Sequence, residues 1–475
     1  MEHNIHHPDR TAALVQFATR HAQVSVPVLP NAVRDQLRAL GLPVRLFGEN
    51  LAQVRERLRQ ALAQRHVLQQ GDGDGDNSKD QQHGEEEEPE EVTQYTRAAA
   101  RLIDIRTQIC QTSIQHAMDR LAKERIYKAQ ARKRKYGTST TTDGNDTDQL
   151  DALDRALQTT VQHTFTLQGS QYADARAIAG LVVVNDHQHI VTGSWNASLR
   201  VWDPASLSCV ATRESCHEDR IMGLAASSSS STNSAPTLLC STSLDRTAKI
   251  WKLDIGESSS IHPVATLAGH AQRLAQAAFH PHVPNLVATT SYDHTWRLWD
   301  TTAPEQQLLL QDGHASAVHG LAWHPDGSLC VTTDTLGVVH AWDLRTGQSI
   351  RHWMTPTRST RVVQCHCPAN GLQLVTGDTE GVLRVWDWRR PKRAALVIPA
   401  HGNAITRIMT STSSSGGGCM ATSSFDGTIK LWNPSANYQC VTTLEGHDGK
   451  VSGVDFVSPT KLVSCGHDKT LKVWC

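Results

Sequence analysis

Seven times between residues 202 and 474 the chain closes a short, β-branched run on a tryptophan: LRVW at Trp202, AKIW at Trp251, WRLW at Trp299, VHAW at Trp342, LRVW at Trp386, IKLW at Trp432 and LKVW at Trp474. The steps between them lie between 42 and 49 residues. Such runs favour strands. A fixed period of this length marks a unit too small to bury its own apolar face, which must stack on copies of itself. About two thirds of the chain is thereby committed to one repetitive, strand-built array.

Each repeat carries further marks. Gly-His pairs open three units, at Gly269-His270, Gly313-His314 and Gly446-His447, with looser forms at Cys216-His217 and Ala400-His401. Six residues before most of the tryptophans stands an acid, Asp245, Asp293, Asp426 or Asp468, with Asn196 and Glu380 as near substitutes. Ser194, Ser243, Ser291 and Ser424 lie two residues earlier still. The pattern resembles the WD40 repeat, four strands per blade, and predicts an all-β, seven-bladed β-propeller. The resemblance implies that His, Ser, Asp and Trp of one blade form a buried hydrogen-bonded chain. His217, Ser243, Asp245 and Trp251 fill those places, as do His270, Ser291, Asp293 and Trp299, and His401, Ser424, Asp426 and Trp432. The residue types are also those of a catalytic triad. Recurrence in blade after blade assigns them to structure, because buried polar groups need partners.

The repeats are uneven. Blade 4 has Leu336 where the acid belongs, blade 5 has no Gly-His, and blade 1 has Gly169-Ser170 in its place, so these three are expected to lean on apolar packing. Blades 2 and 6 carry SSSSSTNS (227–234) and STSSSGGG (411–418), read as solvated loops. The last tryptophan is followed by a single residue, Cys475, which leaves blade 7 short of an outer strand. HTFTLQGS (163–170) matches the segments that precede Gly-His elsewhere, such as HPVATLAGH, and is expected to supply it, removing a sticky edge.

Composition excludes several classes. A net charge of −1 with 39% hydrophobic residues suits a large globular domain with added segments. No apolar run approaches the roughly 18 residues of a membrane span, and the polar start, MEHNIHHPDR, does not read as a secretory signal. Eleven cysteines form no C-x₂-C pairs, and Cys365-His366-Cys367 is too tight for a zinc set, which points to reduced thiols. His3, His6 and His7 sit on a tail and are not assigned a metal. GDGDGDNSKD imitates a calcium loop, but Asn77 replaces the turn glycine and His83 the twelfth-position Glu.

Ahead of the array the chain divides into a polar tail (1–24), a helical module (25–66), an acidic linker (67–94), a helical arm with a basic end (95–136) and a second linker (137–160), with the propeller at 161–475. Both linkers read as disordered. In the module, Val33, Leu37 and Leu40 share one helix face, and Gly41 and Pro43 stop that helix. Asn50 and Gln53 open a second, which buries Leu51, Val54, Leu58 and Leu62 and turns Arg55, Glu56, Arg57 and Arg59 to water. VPVLPNAVRDQLRALGLPVRLFGENLAQVRERLRQALA (26–63) resembles the splicing-factor motif, notably its LFGE core and RERLR run. That motif followed by seven WD repeats is similar to the pre-mRNA processing factor four family, the WD-repeat proteins of the U4/U6 small nuclear ribonucleoprotein. The resemblance extends over 95–136 and about 161–475, including SYDHTWRLWD (291–300) and LEGHDGKVSGVDF (444–456). It implies a non-enzymatic nuclear scaffold of the U4/U6 particle and the U4/U6·U5 tri-snRNP. The implied partners are the processing factor that contacts the duplex RNA, a nuclear cyclophilin and U4/U6 small nuclear RNA, with no cofactor, metal, membrane or small-molecule substrate.

In the arm, Leu102, Ile105 and Ile109 form one stripe and Ile114, Ala117, Met118 and Leu121 another, on a helix that either breaks near Thr112-Ser113 or runs unbroken for ~60 Å. Lys128, Arg132, Lys133, Arg134 and Lys135 end it as a solvated helix end, an import signal or an RNA contact. On the propeller, the residue just before the first strand of each blade reads Arg176, Arg220, Arg273, Ala317, Arg361, Ala404 and Lys450. The residue before the blade acid includes Trp195, Tyr292 and Phe425. Together they predict a basic, aromatic rim for an acidic protein segment or RNA. A rival reading, a substrate receptor of a ubiquitin ligase, would need an adaptor-docking motif such as an F-box, and none is seen. An enzyme would need a phosphate loop, a nucleophile elbow or a metal set, which are also not seen.

Overall fold

The computed structural model describes residues 26–27, 30–40, 54–62, 100–136 and 165–475, the last without 185–188, 228–236, 255–259, 305–306, 356–360, 391–392, 412–417 and 435–436. Asn50, Leu51, both linkers and most of the two Ser/Gly insertions lie outside the described residues. The chain forms two compact units, Met1–Thr96 and Arg97–Cys475.

In the first unit, the helix Pro30–Ala39 and a helix over 54–62 bury Val33, Leu37, Val54 and Leu58 against one another. Arg55 Nε donates to the Pro27 carbonyl at 3.1 Å, and Arg59 pairs with Glu56 at 2.8 Å. Arg57, expected to face water, is instead buried, because it lies three residues after the buried Val54, on the neighbouring turn of the same helix face.

The second unit is a ring of seven four-stranded antiparallel sheets over 178–213, 221–268, 274–312, 318–354, 362–399, 405–445 and 451–474. The seventh sheet is completed by β1 (Leu167–Tyr172), which pairs with the last strand of blade 7, Thr470–Trp474, from Leu167 opposite Trp474 to Tyr172 opposite Thr470. Two further backbone bonds join Thr166 and Cys475. The apolar cores lie between adjacent sheets: Val191, Leu199 and Val201 of blade 1 pack against Ile221, Leu224 and Trp251 of blade 2. Every turn from second to third strand carries one residue with positive φ, five positions before the blade's tryptophan: Ala197, Arg246, His294, Gly337, Gly381, Gly427 and Lys469. Left-handed backbone is costly for side chains other than Gly and Asn, and in blades 2 to 7 a capping carboxylate holds the turn. Asp245 Oδ1, for example, accepts from Thr247 N at 2.9 Å.

The second unit also contains one unbroken helix, Ala100–Tyr136. Thr112 and Ser113 do not interrupt it. Their hydroxyls bond back to the carbonyls of Gln108 (2.9 Å) and Cys110 (3.2 Å), the way such residues are accommodated inside helices. The helix lies across the ends of blades 3 to 5. Ile105 and Ile109 enter the core of Val283, Leu286, Trp296, Leu298 and Leu344. Arg101 grips Asp300 at 2.7 Å. Arg120 makes a two-pronged pair with Asp326 (2.8 and 2.7 Å) and reaches the Asn370 carbonyl at 3.0 Å. The His116 ring stacks on His282 with centroids 3.7 Å apart. Asp326, Gly371 and His282 sit in loops between first and second strands, and Asp300 ends the third strand of blade 3, at the loop to the outer strand. Antiparallel pairing puts both kinds of loop on one face of the ring. The second stripe, Ile114, Met118 and Leu121, remains exposed.

Candidate functional site

Two constellations call for a chemical reading, and the first lies inside the blades. In blade 2, His217 Nδ1 meets Asp245 Oδ2 at 2.8 Å, its Nε2 meets Ser241 Oγ at 2.7 Å, and Trp251 Nε1 donates to the same oxygen at 2.8 Å. Blade 3 repeats this with His270, Asp293, Thr289 and Trp299, and blade 6 with His401, Asp426, Thr422 and Trp432. Blade 7 uses His447, Asp468, Ser464 and Trp474. The hydroxyl belongs to Ser241, Thr289 and Thr422, not to Ser243, Ser291 and Ser424. Those three serines accept the amide N–H of the blade acid and donate to the loop before the first strand. The reason is register. The second strand pairs with the third so that the indole meets the residue ten positions earlier in all seven blades, and a shift of two moves a side chain one pleat along the same face.

Proton accounting fixes the roles. The indole can only donate, so the hydroxyl accepts from it and gives its own proton to Nε2, leaving Nδ1–H for the carboxylate. Burial, the largest single influence, would raise the acids, but hydrogen bonds from the histidine and from the threonine two residues on, with the histidine's field, together outweigh it. Asp245 and Asp293 fall well below the carboxylate range and Asp468 to about 2. Ser241, Thr289, Thr422 and Ser464 are 0% exposed, so no substrate can reach a would-be nucleophile.

The uneven blades keep polar chains of their own. In blade 4, Asp334 replaces the acid missing at Leu336, meeting His314 Nδ1 at 3.4 Å, while Thr332 bonds His314 at 2.6 Å and Trp342 at 2.7 Å. Blade 5 does not use Glu380 as its acid. Asp378 caps the turn and pairs with the Arg384 guanidinium. In blade 1 the histidine's place falls to Asp174, which accepts from Ser198 Oγ, and not to Gly169-Ser170, which lie within β1.

The second constellation is the mouth of the channel on the face opposite the long helix. In every blade a turn N–H bonds the carbonyl of the residue before the first strand, which defines a ring of equivalent positions: Ala177, Arg220, Arg273, Ala317, Arg361, Ala404 and Lys450. Arg176 is therefore out of register by one residue and lies exposed outside the ring. Arg220 lies 4.9 Å over the Trp195 ring, Arg273 4.0 Å over Tyr292 and Lys450 4.9 Å over Phe425, contacts that hold cations at solvent-facing sites. None of Arg220, Arg273, Arg361 and Lys450 forms an ion pair with a described residue. Asp219 instead accepts the backbone N–H of Arg220 at 2.7 Å. His467 stands edge-on to Trp195, and His319 to Tyr292. Burial, seconded by Arg273, lowers the His319 pKa, and burial, seconded by Lys450, lowers that of His467. Among the described residues no group of three or more His, Cys, Asp or Glu is placed to hold a metal.

The basic arm is separate from this mouth. Its helical backbone continues through Lys128 and Arg132–Lys135, whose side chains lie outside the described residues.

Comparison with known proteins fits this geometry. The WD domain, G-beta repeat, matches residues 162–203, 207–252, 261–300, 305–343, 393–433 and 438–475, together just over half of the chain. The chain belongs to the WD-repeat family. The stretch left unmatched contains the first three strands of blade 5, whose histidine is missing. A second match, to "pre-mRNA processing factor 4 (PRP4) like", covers residues 33–61. Over 282 residues the chain is 27% identical to the U4/U6 small nuclear ribonucleoprotein PRP4 of Saccharomyces cerevisiae, covering 59% of this chain and 55% of that one. Over 274 residues it is 30% identical to an uncharacterised WD repeat-containing protein of Schizosaccharomyces pombe, covering 56% and 52%. Over 316 residues it is 23% identical to the ribosome biogenesis protein WDR12 homolog of Trichoplax adhaerens, covering 61% of each. The matched regions span between half and two thirds of these relatives. Repeats alone match proteins of unrelated duties. The PRP4-like match ahead of them and the U4/U6 relative are two likenesses of the same kind.

Proposed function

We propose that this protein is a non-enzymatic scaffold subunit of the spliceosomal U4/U6 particle and the U4/U6·U5 tri-snRNP, acting in pre-mRNA splicing in the nucleus. The observation that carries this reading is the PRP4-like motif at 33–61 on the same chain as a seven-bladed WD propeller. The proposed partners are the processing factor that contacts the duplex RNA, a nuclear cyclophilin and the U4/U6 small nuclear RNA. The basic arm would contact phosphates, a contribution that weakens as salt rises. The mouth would receive an acidic segment of a protein partner. Its exposed cations sit on half-buried aromatic rings, a composition typical of interface anchors.

The test is recovery of the tagged full chain from nuclear extract at moderate salt, with sequencing of bound RNA and identification of bound proteins. U4 and U6 small nuclear RNAs with splicing proteins are expected. Cullin adaptors in their place, or neither RNA above background, would overturn the assignment.

A further inference from the structure

Below the mouth the channel opens into a cavity of about 520 Å³, within the range of ligand pockets. Its depth has a structural cause. Each first strand begins with an irregularity in its pairing, between Ile178 and Gly180 in blade 1 and between Ile405 and Arg407 in blade 6, for example. Such a bulge re-aims the side chain that follows it. At that level Gly180, Gly223 and Gly453 leave the channel clear, while Gln276, Gln364 and Arg407 project polar groups into it.

The charge of this space is one-sided. Arg273, Arg361, Arg407 and Lys450 line it, and no Asp or Glu does among the described residues. Burial lowers the pKa of Arg407 and the field of Asp455 acts the other way, yet a guanidinium keeps its proton at neutral pH. Asp455 is not part of the lining, and its Oδ2 already accepts the Val183 N–H at 3.0 Å. Arg273, Arg361 and Lys450 pair with no acid among the described residues and Arg407 feels only Asp455 from outside the lining, so in a confined, low-dielectric space the four cations repel one another and raise the local potential. A folded protein retains such an arrangement at a cost that an anionic ligand removes.

We propose that the central channel, from the Arg273, Arg361 and Lys450 ring down to Arg407, is a binding site for a compact polyphosphorylated small molecule. Valence separates this from an inserted acidic side chain. One glutamate carries a single negative charge toward four cations, whereas a tripolyphosphate or an inositol polyphosphate carries several in the same volume. Guanidinium groups also match phosphate oxygens in pairs. The site shares Arg273, Arg361 and Lys450 with the mouth proposed to receive a partner's acidic segment, but Arg407 lies below that ring, so its variants test the ligand apart from the splicing reading.

The experiment is calorimetric titration of the full chain with inorganic tripolyphosphate, inositol hexakisphosphate and decaglutamate. Saturable one-to-one binding of a polyphosphate is expected, at least tenfold tighter than decaglutamate. Arg407→Gln should weaken it at least tenfold at an unchanged melting temperature, Arg407→Lys should restore part of the loss, and Arg176→Gln, outside the ring, should change nothing. If Arg407→Gln does not fold, Arg361→Gln, at an exposed position, should weaken binding at least threefold. No saturation by either polyphosphate below millimolar concentration, equal binding by the folded Arg407→Gln protein, or decaglutamate binding as tightly would each overturn the proposal. None of these results bears on whether splicing RNAs and proteins are recovered with the chain.

Discussion

On one face of the ring Arg101 and Arg120 each meet a nearly buried carboxylate, Asp300 and Asp326. On the other, Arg273, Arg361 and Lys450 meet no acid among the described residues. The first face is made by extending a local rule. In blades 4 and 5 the acid after the tryptophan bonds an arginine two residues on, Asp343 with Arg345 and Asp387 with Arg389. Blade 3 has Thr302 at that place, and Arg101 arrives from the helix to supply the missing guanidinium. Gly371 sharpens the fit at Asp326. Its φ is +61, and a Cβ there would stand 2.8 Å from the Arg120 guanidinium carbon. Charge on the helix face is thus neutralised inside the chain, while charge at the mouth is left for something outside it.

The contrast presupposes a closed ring, and the largest effect should come from opening it. A chain starting at Gln158 lacks the helix but keeps β1, and one starting at Ala173 lacks both. The Ala173 chain is expected to aggregate or to melt about 10 °C or more below the Gln158 chain, because it leaves the strand Thr470–Trp474 as an unpaired edge. Equal solubility and melting of the two would remove the closure account. Next in size is the helix contact. Ile109→Ala should cost about 2–4 kcal/mol of docking free energy, and Arg120→Ala about 1–3 kcal/mol by stranding Asp326. Hydrogen exchange should then show helix amides freed while blade strands stay protected. Simultaneous loss of protection in both would mean that helix and ring form one cooperative unit.

Acid should act on the same face. Burial lowers the pKa of His280 to about 4 and lowers those of His282 and His324, so their neutral forms stabilise the fold fully above the unfolded value of roughly 6.5. That stability is lost as pH falls from about 6.5 toward 4. Asp326 adds to the loss further down, since its paired form lies below the ordinary carboxylate value. The expected observation is a melting temperature that declines over this window, less steeply once the helix is removed; a flat or rising profile would contradict the sign. The smallest effect on stability belongs to the mouth. Arg273→Glu with Arg361→Glu should leave melting unchanged and release a splicing partner, whereas Arg176→Glu should leave both melting and partner recovery unchanged. Full partner recovery by the folded double variant would show that the unpaired cations are not a docking rim.

How far the residues themselves carry these conclusions varies by place. The tryptophan period and the 163–170 match are local signals, and they led directly to seven blades and to a strand borrowed from before the first. The hydroxyl of the blade chain was misplaced by two because Ser or Thr stands at both candidate positions, Ser241 and Ser243 for instance. Only strand pairing distinguishes them. The acids Asp334 and Asp378 stand two residues early, so the first looks like an absence at Leu336 and the second is masked by Glu380 at the expected place. Arg176 failed by one residue because blade 1 has no histidine from which to count. Ile105 and Ile109 were visible as a buried stripe, but their partners lie well over a hundred residues onward, and no spacing rule connects Arg120 to Asp326.

Closure by β1 also has a consequence in time. Leu167 leaves the ribosome early, yet its partner Trp474 is among the last residues of this sequence to be translated. Until Thr470–Trp474 has emerged, β1 has no edge to join, and six complete sheets wait in an open arc whose two end sheets expose the apolar faces that blade 7 covers. A nascent chain must therefore be shielded through most of its synthesis, and a premature stop anywhere in blade 7 leaves every earlier blade intact in sequence but the ring unsealed.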